Sequence, residues 1–292
     1  MSRERPPTGQ VSYQGRRLPR PDEELVDQGL GFDVATLLSR RRALRVFGLG
    51  AAAVGLAACG SGSTSSAGPP TSSAAAGEIP EETAGPFPGD GSNGPDVLEQ
   101  SGVVRSDLRS SFGGSTGTAA GVPMTLELTL KDLANGGRAF EGAAVYVWHC
   151  DREGRYSMYS QGAQDQNYLR GVQVADAEGV VRFTSIFPAC YPGRWPHIHF
   201  EVYSGRDSIT DASKVIATSQ VALPEGTCAS AYAQPGYEQS VASLAQVSLE
   251  RDNVFRDDSA VAQMGTVTGD VTSGLTVSLA VAVDTRTAPT PG

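Results

Sequence analysis

From about residue 80 onwards the chain consists of short strand-like runs: apolar and polar positions alternate at residues 124–130 and 143–149, and residues 180–183 and 197–203 are rich in β-branched or aromatic side chains. Alternation with a period of two is typical of strands that bury one face, and glycine-containing turn signals separate the runs. Strands are predicted at residues 124–130, 143–149, 180–183, 197–203, 215–223, 265–268 and 275–283. Many short strands with this spacing indicate an all-β fold, an antiparallel β-sandwich or barrel, and not alternating β–α–β units.

Little of this region shows a helical pattern. Residues 241–246 form the one segment in which we expect a helix. Two long stretches, residues 85–112 and 226–258, are interrupted by glycine and proline and are predicted as loops. Connections of that length without regular structure usually carry function, so we expect functional residues on them.

The N-terminal part of the chain has a different pattern. Three arginines at residues 40–42 precede an apolar run at residues 46–58, which is 13 residues long. This is too short to span a bilayer but suits the apolar part of an export signal. Arginine pairs in this position are typical of a twin-arginine signal, and the sequence Leu-Ala-Ala-Cys that ends at Cys59 resembles a lipobox. We therefore predict a twin-arginine lipoprotein signal at residues 1–58 and lipidation of Cys59.

Residues 59–79 are rich in serine, glycine, alanine, threonine and proline, which predicts a flexible linker. The folded domain is expected at residues 80–288, outside the cytoplasm and anchored by lipid to the outer face of the cell membrane. Removal of residues 1–58 leaves 14 basic and 26 acidic side chains, a formal charge of −12. We therefore expect the lipid to be the domain's only contact with an anionic membrane.

Composition excludes several classes of protein. The 292 residues include 23 basic and 32 acidic side chains, for a formal net charge of −9, and only Lys131 and Lys214 are lysines. An acidic chain without a basic stripe lacks what binding to a nucleic acid backbone requires. Four cysteines are too few for a disulfide-built miniprotein, and three histidines exclude a histidine-rich metal site.

The candidate chemistry centres on a His-x-His pair in a predicted strand. His197 and His199 project from the same face of that strand, and two adjacent imidazoles supply half of a metal site. A zinc site with three histidines would need His149, which lies in an apolar strand and is expected to be a hydrogen-bonded structural residue. Tyr156 and Tyr191 are the better candidates, because phenolate oxygens are hard anionic donors that favour a trivalent ion such as Fe³⁺.

Residues 148–151, with the Gly-Arg-Tyr-Ser turn at 154–157, and then residues 191–199 resemble the intradiol ring-cleavage dioxygenases. The resemblance extends from about residue 79 to residue 283. It implies a β-sandwich that holds non-haem Fe³⁺ with two tyrosines and two histidines. The ligands that it implies are Tyr156, Tyr191, His197 and His199. It also implies that Arg194 and Gln220 take part in catalysis.

The activity implied by the resemblance is cleavage of a catechol-type ring by O₂ between its two hydroxylated carbons, which gives a muconate-type diacid. The implied partners are a small catechol-type substrate and O₂, and a homodimer is left open. Either Tyr156 or Tyr191 would leave the iron and accept a substrate proton. Residues 81–87 resemble the family's stretch leading into the core, with Phe87 where many members carry tyrosine.

A binding module without catalysis is the alternative interpretation. Residues 141–145 followed by residues 151–156 also match the strand–turn–strand pattern of transthyretin-like or carbohydrate-binding sandwiches. In that case His197 and His199 would be incidental. Colour and iron content distinguish the two interpretations, because tyrosinate bound to Fe³⁺ absorbs visible light.

Three cysteines remain besides Cys59, namely Cys150, Cys190 and Cys228. In an oxidising compartment we expect one pair among them to form a disulfide, and the sequence leaves all three pairings open. Cys190 is favoured as one partner, because a free thiol next to Tyr191 and a ferric ion would be a liability.

Overall fold

The structure is a computed structural model that describes residues 77–287 and the backbone of two short strands, β1 (Ser12–Tyr13) and β2 (Arg16–Arg17), which pair antiparallel. Apart from these strands, the predicted signal at residues 1–58, Cys59 and the linker up to residue 76 lie outside the described residues. Contacts divide the chain into residues 1–73 and 74–292.

The second unit is built mainly from strands. These are β3 (Pro123–Asp132), β4 (Arg138–Ala139), β5 (Ala144–Trp148), β6 (Arg170–Val174), β7 (Val180–Ile186), β8 (His197–Tyr203), β9 (Val215–Ala222), β10 (Thr266–Asp270) and β11 (Gly274–Val283). The helices are α1 (Glu225–Tyr232) and α2 (Glu238–Leu244). Short 3-10 turns lie at Leu133–Asn135, Arg206–Ser208, Ala212–Lys214, Leu249–Arg251 and Phe255–Asp257. None of the described helices is long and apolar enough to cross a membrane.

The strands of the second unit form two sheets. Sheet A has the order β10–β11–β3–β4, with β7 also paired to β3, and sheet B has the order β6–β5–β8–β9. Sheet B is antiparallel throughout, whereas β11 pairs with β3 in parallel. A parallel pair needs a long crossover connection, and here the chain of sheet B lies between the two strands. The predicted all-β antiparallel sandwich is therefore confirmed, with one parallel pair added.

The hydrophobic core lies between the two sheets. Leu126 and Leu128 of β3 are buried there, together with Phe183 of β7 and with Ile198 and Phe200 of β8. These residues occupy alternate positions, as a strand that turns one face toward the core requires. The other face of β8 carries histidines, and it is buried as well because loops cover it.

Besides the two-residue strand β4, one helix and one strand of the second unit were not predicted from the sequence. Helix α1 lies inside the predicted loop at residues 226–258, and its small residues carry no amphipathic pattern. Strand β6 begins with a buried arginine and a glycine, so it shows no alternation. The predicted helix at residues 241–246 is confirmed but lies slightly earlier, as α2.

Residues 79–87, here called the entry segment, connect the two sheets along one edge. The amide of Ile79 donates to the carbonyl of Ala282 in β11 at 2.8 Å. The amide of Glu82 donates to the carbonyl of Thr218 in β9 at 2.7 Å. The rest of the segment passes over the outer face of sheet B. It thereby supplies one wall of the candidate site.

Candidate metal centre

Four side chains bring their polar atoms together on the outer face of sheet B. The Nε2 atoms of His197 and His199 lie 3.1 Å apart, and the Tyr191 hydroxyl lies 3.1 Å from His197 Nε2. The Tyr156 hydroxyl lies 3.3 Å from that of Tyr191 and 3.5 Å from His197 Nε2. The structure thus brings together the four predicted ligands, although they come from three separate parts of the chain.

Strand β8 and its neighbours orient the two histidines. His197 Nδ1 lies 2.5 Å from the carbonyl oxygen of Trp195, and because a carbonyl only accepts, Nδ1 carries the proton and Nε2 keeps its lone pair. The His199 ring stacks on Trp148, with centroids 4.9 Å apart and planes 7° apart. Gly85 of the entry segment also lies against His199, since a Cβ added there would be 3.4 Å from His199 Cε1.

A tight turn built around a buried carboxylate presents Tyr156. Asp151 Oδ1 accepts from the amides of Glu153 and Arg155 at 3.0 and 2.9 Å, and its Oδ2 accepts from the Tyr168 hydroxyl at 3.0 Å. Glycine at position 154 provides the φ of +83° that the turn requires. The chain therefore leaves the turn in a fixed direction, and Tyr156 is buried at its end.

A second turn presents Tyr191 next to Arg194. The amide of Arg194 donates to the Tyr191 carbonyl at 3.4 Å, and Gly193 between them has a φ of +86°. Tyr191 is only partly buried, whereas Tyr156 is 2% exposed. Of the four polar groups, the Tyr191 phenol therefore belongs to the side chain with most access to solvent.

Burial and the charge of Arg194 determine the protonation of the cluster. Burial lowers the pKa of His197 to about 3, and Arg194 acts in the same direction. Burial also lowers the pKa of His199 well below its ordinary value, so both imidazoles are neutral at pH 7. Burial raises the pKa of Tyr156 and of Tyr191, while the Arg194 guanidinium acts to lower both.

The donor set fits a hard trivalent ion. Donor atoms that share one ion at about 2 Å lie roughly 3 Å apart, which agrees with separations of 3.1–3.5 Å in the cluster. Phenol oxygens, once ionised, supply the negative charge that such an ion favours. Within residues 77–287, no group of three or more His, Cys, Asp or Glu side chains is placed to hold a metal ion. A metal at this position therefore depends on the tyrosines.

Arg194 and Gln220, the two implied catalytic residues, lie beside the cluster and contact each other. Arg194 Nη2 donates to Gln220 Oε1 at 2.7 Å, and Gln220 Nε2 donates to the Thr83 carbonyl at 3.0 Å. Arg194 Nε donates to Asp252 at 3.0 Å. Sequence reasoning missed Asp252, which carries no motif; its one signal was its position in the long predicted loop at residues 226–258.

Arg170 is a second residue that sequence reasoning missed. Its Nε donates to the Ser157 hydroxyl at 3.0 Å, and Nη1 donates to the Pro88 carbonyl at 2.6 Å and to the Tyr146 hydroxyl at 3.0 Å. Its Nη2 donates to the carbonyls of Phe87 and Ser157 at 2.9 and 3.0 Å. The arginine is 1% exposed, and it joins the end of the entry segment to the residue that follows Tyr156 in the chain.

Two other predicted positions lie near the cluster. His149 is buried, and its ring nitrogens lie 2.8 Å from the Cys150 carbonyl and 2.7 Å from the Ser185 hydroxyl. These contacts are those expected of a structural histidine. Phe87 is buried with its ring centroid 5.1 Å from that of Tyr156, so an apolar ring packs against this candidate ligand.

The three described cysteines differ from the prediction of one disulfide among them. Cys150, Cys190 and Cys228 are all free and buried. Each thiol lies near a backbone carbonyl oxygen, at 3.7 Å from Ala189, 3.6 Å from Arg194 and 3.8 Å from Leu223, respectively. Burial raises the pKa of each thiol, so all three are protonated and satisfied without a bridge.

The family model and the two relatives described here are all dioxygenases. The sequence model of a family described as Dioxygenase matches residues 93–207, which include all four side chains of the cluster. Catechol 1,2-dioxygenase of Pseudomonas sp. (strain EST1001) is 33% identical over 93 residues, covering 32% of this chain and 28% of the relative. Chlorocatechol 1,2-dioxygenase of Rhodococcus opacus is 34% identical over 83 residues, covering 28% of this chain and 26% of the relative. The matches thus span little more than a quarter of either relative.

A solved structure shares the fold over a larger part of the chain. The intradiol ring-cleavage dioxygenase from Tetranychus urticae superposes with a TM-score of 0.58 at 24% sequence identity. The superposition covers 72% of this chain and 96% of that one. At this level of identity, the superposition shows that the two proteins share a fold.

Proposed function

We propose that the chain is an intradiol ring-cleavage dioxygenase, which cleaves a catechol-type ring with O₂ between the two hydroxylated carbons. The match of residues 93–207 to the Dioxygenase family model and the partial matches to two catechol dioxygenases support this proposal. The product would be a muconate-type diacid. One observation carries the proposal: two phenols, Tyr156 buried and Tyr191 partly buried, and two neutral imidazoles have their donor atoms within 3.1–3.5 Å of a neighbour in the cluster. Incidental histidines of a binding module would not need such an arrangement.

Fe³⁺ is the cofactor that we propose for this cluster, held by Tyr156, Tyr191, His197 and His199. Two phenolates and two neutral imidazoles would leave a site with a formal charge of +1, to which a substrate dianion is attracted. When bound, ferric iron would hold the substrate oxygens and withdraw electron density from the ring, which makes the ring carbons reactive toward O₂. The protein contributes the binding, the orientation and the exclusion of water.

The tyrosines also provide the base that a catechol requires. A catechol must lose two protons to bind as a dianion; a phenolate oxygen within the cluster is placed to accept one, and a hydroxide ion displaced by the substrate would accept the other. Tyr191 is favoured for this role because it is more exposed than Tyr156 and therefore has more room to move. Burial of the rest of the cluster keeps bulk water from competing for the proton.

Arg194 and Gln220 act on the substrate in this proposal. Arg194 places a fixed positive charge near both phenols, where anionic character would develop on the ring, and a charge of this kind is most effective in a site shielded from water. Gln220 holds both the Arg194 guanidinium and the entry segment. It thereby keeps the wall of the substrate site at a constant distance from the cluster.

We also propose that the domain works outside the cytoplasm, anchored to the membrane through Cys59. The support is the sequence alone: the arginines at residues 40–42, the apolar run at 46–58 and the lipobox-like end of that run. Labelling with a radioactive fatty acid in cells, compared between the wild type and a Cys59→Ser variant, tests the anchor. Equal label in the two proteins would overturn it.

The decisive experiment combines iron analysis, visible absorption and oxygen uptake on the purified protein. We expect about one iron per chain, a burgundy colour from tyrosinate-to-iron charge transfer, and oxygen uptake with at least one of catechol, protocatechuate and hydroxyquinol. A Tyr191→Phe variant should lose or shift the visible band. The matched control is Tyr232→Phe, which removes a buried hydroxyl that donates to the Pro188 carbonyl outside the cluster, and it should keep the band. Colourless, iron-free protein would contradict the proposal, as would iron-loaded protein that consumes no oxygen with any of these substrates.

A further inference from the structure

Asp252 is a buried carboxylate in the loop between α2 and β10, and its side chain has no exposed surface. We infer that Asp252 is a positioning residue, which holds the Arg194 guanidinium in the orientation that ring cleavage requires. This inference rests on the proposed function. It assigns a role in that function to a residue that neither contacts the four clustered ligand side chains nor belongs to a sequence motif.

Both oxygens of Asp252 are fully engaged. Oδ2 accepts from Arg194 Nε at 3.0 Å and from the Trp195 amide at 2.6 Å. Oδ1 accepts from the amides of Val254 and Phe255 at 2.8 and 3.2 Å. Four donors fix the carboxylate. Two of them, Arg194 Nε and the Trp195 amide, come from the turn that carries Arg194, and the other two are backbone amides of the loop that carries Asp252. The carboxylate therefore ties the Arg194 side chain to the backbone of both segments. An amide group could not accept all four hydrogen bonds, because its nitrogen is a donor.

Arg194 is held at two different nitrogens. Nε donates to Asp252, and Nη2 donates to Gln220 Oε1 at 2.7 Å. Because the guanidinium is planar and rigid, two bonds from different nitrogens determine the direction of the third nitrogen, Nη1. The Gln220 amide is itself oriented by donation to the Thr83 carbonyl. A continuous chain of contacts therefore runs from Asp252 through Arg194 and Gln220 to the entry segment.

The charge of Arg194 reaches the cluster from this fixed position. It acts to lower the pKa of Tyr156, Tyr191 and His197. A buried cation is costly unless a carboxylate pairs with it, and the pairing carboxylate also decides where the cation lies. Asp252 thus determines both the presence and the direction of a positive charge at the candidate centre.

Asp252 is the acidic side chain that pairs with Arg194 within 4 Å in the described part of the chain. The Glu82 carboxyl of the entry segment also feels the charge of Arg194, but burial raises its pKa to about 8, so it is a poor substitute for Asp252 at neutral pH. Without the Asp252 carboxylate, the bond to Gln220 would be the remaining side-chain hydrogen bond that orients the guanidinium, and the guanidinium would be free to rotate away from the phenols.

The first test is the Asp252→Asn variant of the iron-loaded enzyme. We expect iron content and the visible band to remain, because the four ligands are untouched, and kcat to fall roughly 10–100-fold. The matched control is Glu250→Gln, which removes an exposed carboxylate from the same loop and should keep the wild-type kcat. Loss of iron from Asp252→Asn, or an unchanged kcat, would overturn the inference.

A double-mutant cycle separates positioning from a merely structural role. If Asp252 acts through Arg194, then Asp252→Asn should have little further effect on kcat in an Arg194→Gln background. Equal fold losses in the two backgrounds would show that Asp252 acts independently of Arg194, and the inference would be wrong. If Arg194→Gln does not fold, as judged by thermal unfolding, the cycle is run in an Arg194→Lys background.

These outcomes are distinguishable from failure of the proposed function. If the wild-type protein binds no iron or consumes no oxygen, the dioxygenase proposal fails regardless of Asp252. If the wild type is active and the cycle shows no coupling between Asp252 and Arg194, only the positioning role fails.

Discussion

The outer faces of sheets A and B are built from strands of the same kind but are exposed to different degrees. On sheet A, Thr125, Glu127 and Thr129 of β3 point away from the core and remain partly exposed. On sheet B, His197 and His199 of β8 also point away from the core, yet all of β8 is buried. The strands themselves do not differ in this respect, so the difference arises from the segments that cover sheet B.

Covering a polar face changes what its side chains must do. A polar group on the outer face of sheet A exchanges hydrogen bonds with water, whereas one on sheet B must find a partner within the protein. The buried polar side chains accordingly accumulate on and above sheet B, and they include Arg170, His197, His199, Glu201, Gln220 and Asp252. The covered face provides what a reactive centre needs, namely fixed dipoles and charges at low dielectric.

The largest effect is expected when Arg170 is replaced by leucine. The change leaves several buried acceptors of the entry segment and the Tyr156 loop without a donor, at about 1–3 kcal/mol each. We therefore expect the free energy of unfolding to fall by more than a large core truncation causes, and iron binding to weaken. Chemical denaturation and iron analysis measure the two effects. Arg138→Leu, which removes an exposed arginine from β4 of sheet A, serves as the control and should change neither quantity appreciably.

The next largest effect is expected from truncation of a core phenylalanine in either sheet, and it shows whether the two sheets contribute equally to the stability of the shared core. Phe200 of β8 and Phe183 of β7 are both fully buried between the sheets. Replacement of either by alanine should lower the free energy of unfolding by about 3–5 kcal/mol. Urea denaturation of the two variants gives the comparison. A much smaller loss for Phe183→Ala than for Phe200→Ala would mean that sheet A packs less tightly against the core than the structure shows.

A pH dependence is expected from the carboxyl of Glu82 in the entry segment. Burial, followed by the charge of Asp257, raises the pKa of Glu82 from 4.5 to about 8. The folded state therefore binds more protons than the unfolded state between these values, and the free energy of unfolding should fall as the pH rises from 4.5 to about 8.

Glu82→Gln should remove this decline, so the stability of the variant relative to the wild type should increase with pH. After allowance for partial solvent exposure, we expect an effect on the order of 1–3 kcal/mol. Urea denaturation at about pH 5 and about pH 8 measures it, with the exposed Glu99→Gln as control. A parallel pH response in the wild type and Glu82→Gln would contradict the prediction.

The smallest effect is expected on the uncovered face. Glu127 of β3 and Arg182 of β7 form an ion pair with Nε and Oε2 2.8 Å apart, and their side chains are 31% and 58% exposed. Because water screens such a pair, Glu127→Gln should change the free energy of unfolding by less than ~1 kcal/mol. Added salt should reduce the difference further. The same measurement on Asp252→Asn gives the comparison, because Asp252 has no exposed side-chain surface. Its free energy of unfolding should fall by more than that of Glu127→Gln.

Local pattern was sufficient for much of the fold. The strand at residues 197–203 was predicted with the bounds that β8 has, because its alternation and aromatic content are properties of the segment alone. Helix α1 and strand β6 were missed because neither shows a period in its apolar residues. Their conformation depends on contacts with other elements, which a single segment does not reveal.

The residues of the candidate site also fall into two groups, those that the sequence predicts and those that only the structure reveals. The two histidines are recognisable from their spacing, and the tyrosines from the motifs around them. Asp252 and Arg170 are not, because each acts through hydrogen bonds to residues far away in the chain, such as the 58 positions that separate Arg194 from Asp252. The three cysteines illustrate the converse: an expected oxidising compartment predicted one disulfide among them, whereas in the structure all three thiols are free and buried.

The sequence by itself determined which faces of the strands are apolar and which carry the candidate chemistry, because side chains in a strand alternate regardless of what surrounds it. Only the tertiary structure decided that the histidine face of sheet B is covered, that two distant tyrosines meet it, and that a buried carboxylate orients the neighbouring arginine. The physical reason is the separation along the chain of the residues that produce each property. Alternation follows from the geometry of adjacent residues, whereas burial and the pairing of charges depend on contacts between segments that the chain brings together only when it folds.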